Sequence, residues 1–111
     1  MDRVMLNQSL AGGYIESYKF ELEEKRIMLR IDVLENGRLS SYDVVFRGVS
    51  HFSFDDERVS SWERIELTDL SIDAAPEGSS SEEWLIDLNL WDTAHLTVRC
   101  ATISINDELL K

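Results

Sequence analysis

Apolar and polar side chains alternate along most of this chain, and a period of two is the signature of β-strands, whose successive side chains point to opposite faces. Tyr18, Phe20 and Leu22 alternate with Lys19 and Glu21, and Ile27, Leu29, Ile31 and Val33 alternate with Arg26, Met28, Arg30 and Asp32. Glu23, Glu24 and Lys25 separate these runs by a gap short enough for a hairpin. Asn36-Gly37 then lies between the Ile27 run and Tyr42, Val44 and Phe46. Asn-Gly accepts the two positive φ values of a type I′ turn at little cost, so the three runs predict an antiparallel meander.

Gly48 follows Phe46, and beyond it the pattern shifts phase, with Phe52 and Phe54 on one side and His51 and Ser53 on the other. A glycine at such a shift predicts a bulge or bend. Asp55, Asp56, Glu57 and Arg58 read as a solvated loop. Trp62, Ile65, Leu67, Leu70 and Ile72 fit neither period; a bulged strand is preferred, with a short helix capped by Ser60 or Ser61 as the alternative. The run AAPEGSSSEE over residues 74–83 reads as a loop.

Trp84, Ile86, Leu88 and Leu90 alternate with Leu85, Asp87, Asn89 and Trp91, and Asp92, Thr93 and Ala94 turn the chain into Leu96, Val98, Cys100 and Thr102. The opposite parity of Trp84 and Trp91 predicts one ring in the core and the other on the outer face. Ile103 and Ile105 then reverse the apolar side, which implies a twist, a bulge or a covered face. The final LLK reads as a frayed end. Residues 3–10 predict a short helix stopped by Gly12 and Gly13. The expectation is one domain over residues 1–111, mainly antiparallel β with about six or seven strands, arranged as a sandwich or a strongly bent sheet with a short N-terminal helix.

Length supports this: 111 residues bury roughly two-thirds of the surface of the unfolded chain, enough for one core without a metal or disulfide. Cys100 is the only cysteine. With no apolar run long enough to span a bilayer and no secretory leader pattern in MDRVMLNQSL, a cytoplasmic chain is expected.

Charge narrows the partners. Residues 1–54 hold eight acids against seven Lys and Arg, a net of −1, whereas residues 55–111 hold fourteen against four, a net of −10. Such a field repels phosphate backbones and anionic lipid and steers basic proteins inward, so nucleic acid and membrane are excluded as expected partners.

Motifs for catalysis or metal binding do not emerge. His51 lies four residues before Asp55 and His95 three after Asp92, yet there is no H-x-x-x-H, C-x-x-C or H-E-x-x-H, and a zinc site needs three or four converging ligands. Cys100 sits in an alternating apolar series, where a thiol behaves as a small core hydrophobe. No G-x-S-x-G, Gly-rich phosphate loop or D-x-D-x-D-G calcium loop is present. The acid groups Glu23-Glu24, Asp55-Asp56-Glu57 and Glu82-Glu83 read as solvated, and no cofactor is expected. Trp62, Trp84 and Trp91 stand among acids, and an exposed tryptophan ringed by carboxylates suits an interface with a basic protein. The candidate partner-binding residues are Asp55, Asp56, Glu57, Trp62, Glu82, Glu83, Trp91 and Asp92.

YIESYKFELEEKRIMLRIDV, VVFRGVSHFSF and SWERIEL together resemble the YxiG-like bacterial proteins, small acidic domains regarded as toxin-immunity proteins. The resemblance covers residues 14–72 and rests on the Tyr18 strand, the apolar Ile27 strand, and Phe46, Gly48, Val49 and Phe52 around a bend. It implies a binder that neutralises a toxin. The expected function is therefore a non-enzymatic acidic protein that masks a basic partner. The alternatives are a self-associating assembly module, forming homo-oligomers through a sheet face, and a small-ligand carrier with a pocket lined by His51, Trp62 or Trp91.

Overall fold

The computed structural model describes residues 9–56, 61–74 and 83–110, Ala74 by its backbone alone. Nine strands are present among them: β1 (Tyr14–Glu21), β2 (Arg26–Glu35), β3 (Arg38–Arg47), β4 (His51–Asp56), β5 (Leu67–Ala74), β6 (Trp84–Leu90), β7 (Ala94–Cys100), β8 (Thr102–Ile105) and β9 (Glu108–Leu109). They form two antiparallel sheets, in the orders β1-β2-β3-β8-β9 and β4-β7-β6-β5. The inward rows of both, Ile27, Leu29, Ile31, Val44 and Phe46 from the first and Leu70, Ile72, Ile86, Leu88, Leu96 and Val98 from the second, meet in one core. This is the sandwich alternative of the two expected architectures.

The meander β1-β2-β3 forms as its periodicity dictates. Asn36 and Gly37 take φ values of 50° and 77°, both positive as a type I′ turn requires, and Glu35 pairs with Arg38 across it. A second such turn, at Asn106 (49°) and Asp107 (67°), folds β9 back on β8. The C-terminal LL is therefore not frayed: Leu110 is buried, and its N–H donates to Ile103 O at 2.9 Å. Asn and Asp tolerate positive φ better than other non-glycine residues, which makes this turn possible without glycine.

Gly48 is the corner between the sheets. β3 pairs with β8 in the first sheet, and their continuations β4 and β7 pair in the second, so a two-stranded ribbon passes from one sheet to the other between Arg47 and Ser50 on one strand and at Ala101 on the other. Ala101 N–H lies 3.0 Å from Arg47 O and 3.2 Å from Gly48 O, holding the ribbon through the bend. One residue spent in the bend reverses side-chain parity. Leu96, Val98 and Cys100 face the core before it, Ile103 and Ile105 after it. The reversal expected from a bulge or twist is thus a switch of sheet.

A second connection closes the far side. Ile15 N–H donates to Ile65 O and Leu67 N–H to Gly13 O, each at 2.8 Å, around a bridge between Tyr14 and Glu66. Residues 61–66 form no helix, and β5 begins at Leu67 with a register shift between Leu67 and Asp69, the bulged strand preferred above. Trp62 and Ile65 pack on the core before that strand starts.

Further expectations change: Asp55 and Asp56, expected in a loop, end β4. The strand number rises because β7 and β8 separate at Ala101 and β9 is added. Of the helix expected over residues 3–10, only Ser9 and Leu10 are described, and no helix is an element among the described residues. The expected turn at Asp92–Ala94 starts one residue earlier, at Trp91, and Ala94 is a fully buried member of β7. The expected loop falls on residues 75–82, outside the described ones.

Gly48 sits at φ +66°, and a Cβ built there would lie 2.7 Å from the Cβ of Ala101. Gly48→Ala should therefore lower unfolding stability by about 3 kcal/mol, combining left-handed backbone strain with a steric clash. Chemical denaturation checks this, and the double variant Gly48→Ala/Ala101→Gly should recover the steric part.

Candidate functional site

Among the described residues β1 and β4 are both terminal strands, so their inward rows have a neighbouring strand on one side only. Tyr18 and Phe20 lie opposite the buried Leu29 and Ile27, and Phe52 and Phe54 opposite the buried Val98 and Leu96, so all four rings are on core-facing rows. They are nevertheless exposed, at 64% and 39% for Tyr18 and Phe20 and 39% and 57% for Phe52 and Phe54. The rings touch edge to face: Tyr18 to Phe20 at 6.1 Å between centroids, Phe20 to Phe52 at 5.2 Å, and Phe54 to Trp62 at 6.1 Å. Leu22 extends the apolar surface at the hairpin tip, 67% exposed.

Between β1 and the Phe54–Trp62 pair the rings border a groove of about 380 Å³, floored by Ile15, Leu29, Ile65, Leu90 and Leu96. The groove meets a larger hollow at Ile15 and Ile65, where Glu16, Asp32 and Glu63 face a single cation, Arg64. Arg64 is already engaged over the Tyr14 ring, 4.9 Å from its centroid. Leu34 and Leu39, both largely exposed, complete the hollow. An apolar groove thus continues into a carboxylate-lined one.

The charge asymmetry of the sequence becomes an asymmetry between faces. The outer face of the β4-β7-β6-β5 sheet carries Asp55, Asp69, Asp73 and Asp87 with Arg99. That of the β1-β2-β3 meander mixes Lys19, Arg26, Arg30 and Arg47 with Glu21, Asp32 and Asp43. Several of these are locally paired: Arg26 bridges Glu21 at 2.6 Å and Glu24 at 2.9 Å, and the Arg26 hydrogen bond holds the Glu21 carboxyl below its ordinary pKa.

The eight candidate residues do not converge. Trp62 lies in the groove, and Asp55 and Asp56 end β4 just beyond Phe54. Glu83 accepts a hydrogen bond from Ser50 Oγ at 2.9 Å, near the sheet corner. Trp91 and Asp92 occupy the β6–β7 turn, both at positive φ, so Trp91 is on neither sheet face, while Trp84 packs against the core. The Trp91 indole N–H donates to Arg64 O at 2.7 Å, and the ring tilts against Tyr14 at 6.4 Å. Its role is to tie the 61–66 segment to the turn. Glu57 and Glu82 are outside the described residues. Tyr18, Phe20, Phe52 and Phe54 were missed because alternation marks them as core, and only strand order shows that their row is uncovered.

Chemistry at the other candidates is sparse. His51 and Trp62 border different hollows, His51 one beyond Phe52 with Glu21 and Lys25, and Trp62 the groove beside Phe54. His95 lies nearest Asp87, Nδ1 to Oδ1 at 3.5 Å, rather than Asp92. Among the described residues no three His, Cys, Asp or Glu side chains gather as a metal site requires, and no helix is long and apolar enough to cross a membrane. No family model matches the chain, and no curated protein matches it either.

Cys100 is fully buried, and burial, followed by the nearby Glu83 charge, pushes its thiol pKa up to about 12. The thiol should resist alkylation in the native state. Above the unfolded-state pKa the unfolded chain releases a proton that the folded chain retains, so this group's contribution to stability falls as pH climbs from about 9 towards about 12. Comparing Cys100→Ala with the parent chain by denaturation across that window isolates the effect, which the variant should lack.

Proposed function

We propose that this chain is a non-enzymatic binding protein whose partner is a basic protein, anchored by the ring cluster between β1 and β4. The observation that carries the reading is four core-facing aromatic side chains left more than a third exposed in a chain of net charge −11. Contiguous exposed apolar surface rimmed by polar groups marks interaction sites, and aromatic anchors supply most interface energy. The charge selects the partner's sign. A small ligand fits less well, since such sites enclose most of the ligand, whereas these rings stand at an open edge. Self-association would bring two strongly acidic molecules together and is the weaker alternative. The resemblance of residues 14–72 to YxiG-like proteins supports the narrower reading of an immunity protein, because Tyr18 and Phe52 fall within it.

Co-expression with the product of the neighbouring gene tests this: the chain should relieve that product's toxicity and co-purify with it. Tyr18→Ala/Phe54→Ala should then speed dissociation by about 30-fold, the loss of roughly 2 kcal/mol at an anchor. Asp55→Lys/Glu63→Lys should instead slow association, most strongly at low salt, because exposed charges are screened beyond about 8 Å at physiological ionic strength. An acidic partner, or an association rate indifferent to salt, refutes the reading.

A further inference from the structure

We infer that the edge of β4 over His51–Phe54, which no other strand pairs among the described residues, is a template on which the partner adds a β-strand, an extended segment alternating apolar and cationic residues. The inference rests on the binding reading above and specifies its mode. Natural edge strands are usually blunted by lysine, proline, bulges or brevity. β4 carries none of the first three on its edge-forming stretch: His51, Phe52, Ser53 and Phe54 pair with β7 in unbroken register from Arg99 to Leu96. β1 by contrast is disrupted by a register shift between Ile15 and Ser17, and its first residues are already bridged to Glu66. β4 is therefore the more open of the two strands at the mouth.

Strand geometry dictates what the added segment must look like. Alternate side chains of a strand laid on β4 continue the Phe52–Phe54 row towards Tyr18 and Phe20, so they must be apolar. The other set continues the outward row that holds His51, Ser53 and Asp55, on a face where Asp55, Asp69, Asp73 and Asp87 outnumber Arg99. Cationic residues suit that set. A second copy of the chain fits poorly, since its own β4 would bring another Asp55 to the outer face that is already acidic. Main-chain hydrogen bonds along the edge supply affinity, and the alternating side chains supply selectivity.

Two synthetic peptides about eight residues long test this, one alternating lysine with leucine and the other of the same composition with the leucines grouped. Binding to the full chain is followed by titration, and the isotopically labelled chain reports amide exchange residue by residue. The alternating peptide should bind at least about tenfold more tightly. It should slow exchange at those β4 amides that point away from β7, and Phe52→Ala/Phe54→Ala should abolish the preference. Equal binding of the two peptides, or a complex in which β4 exchange is unchanged, overturns strand addition while leaving the toxicity-relief test of the basic-partner reading to stand by itself. Slow β4 exchange in the free monomer would show the edge covered by the chain's own residues. Protection that grows with protein concentration alone would show a second copy there. Either result overturns the inference.

Discussion

The close approach of Gly48 and Ala101 is the constraint on which the arrangement of the two sheets depends. Two hydrogen-bonded strands turn there together, so the β3–β8 pairing and the β4–β7 pairing are one continuous ribbon folded across a corner. Because the bend consumes a residue on the β7–β8 strand, both halves of that strand direct their apolar side chains into the same core. A side chain at position 48 would push the strands apart where they must be in contact. The clip of β1 onto residues 65–67 then holds the opposite side, and the sandwich is closed at two places by backbone hydrogen bonds rather than by packing alone.

Closure at those two places leaves a third side open. β1 approaches β4 where Phe20 meets Phe52, and the rings of Tyr18, Phe54 and Trp62 border the gap. Leaving this apolar area wet forgoes roughly 25 cal/mol for every Å² that a covering element would remove from water, so the open mouth is costly to a lone molecule and a gain to any partner that covers it. Exposed rings and the β4 edge over His51–Phe54 lie at the same place and make up the proposed docking surface.

In the proposed binding mode, electrostatics selects the partner. Four acids of the second half of the chain, Asp55, Asp69, Asp73 and Asp87, lie on the outer face of the β4-containing sheet, while the meander sets charges of both signs side by side, as in Glu21–Arg26–Glu24. Exposed pairs of this kind contribute little to stability. Among the described residues acids outnumber cations on the outer face of the β4-containing sheet and in the Glu16–Asp32–Glu63 hollow, which adjoins the aromatic groove.

The sequence by itself determined what is local. Alternation located β1, β2, β3, β6 and β7, Asn36-Gly37 fixed the register of β2 against β3, Gly48 marked the bend, and the even parity of Cys100 with Val98 and Leu96 placed the thiol in the core. Each of these follows from the geometry of a strand or turn of a few residues. The β8–β9 hairpin escaped because Asn-Asp is a weaker turn signal than Asn-Gly, and the β6–β7 turn was expected one residue late because a bulky residue such as Trp91 is disfavoured at positive φ until the Arg64 carbonyl and the Tyr14 ring hold it. The site was decided only by the tertiary structure. Phe20 and Ile27 have the same pattern in sequence and face the same way, yet one is open to solvent and the other buried, because β1 ends its sheet and β2 does not. Periodicity specifies the face a side chain takes; whether anything covers that face depends on strand order, which is set by contacts between residues far apart in the chain.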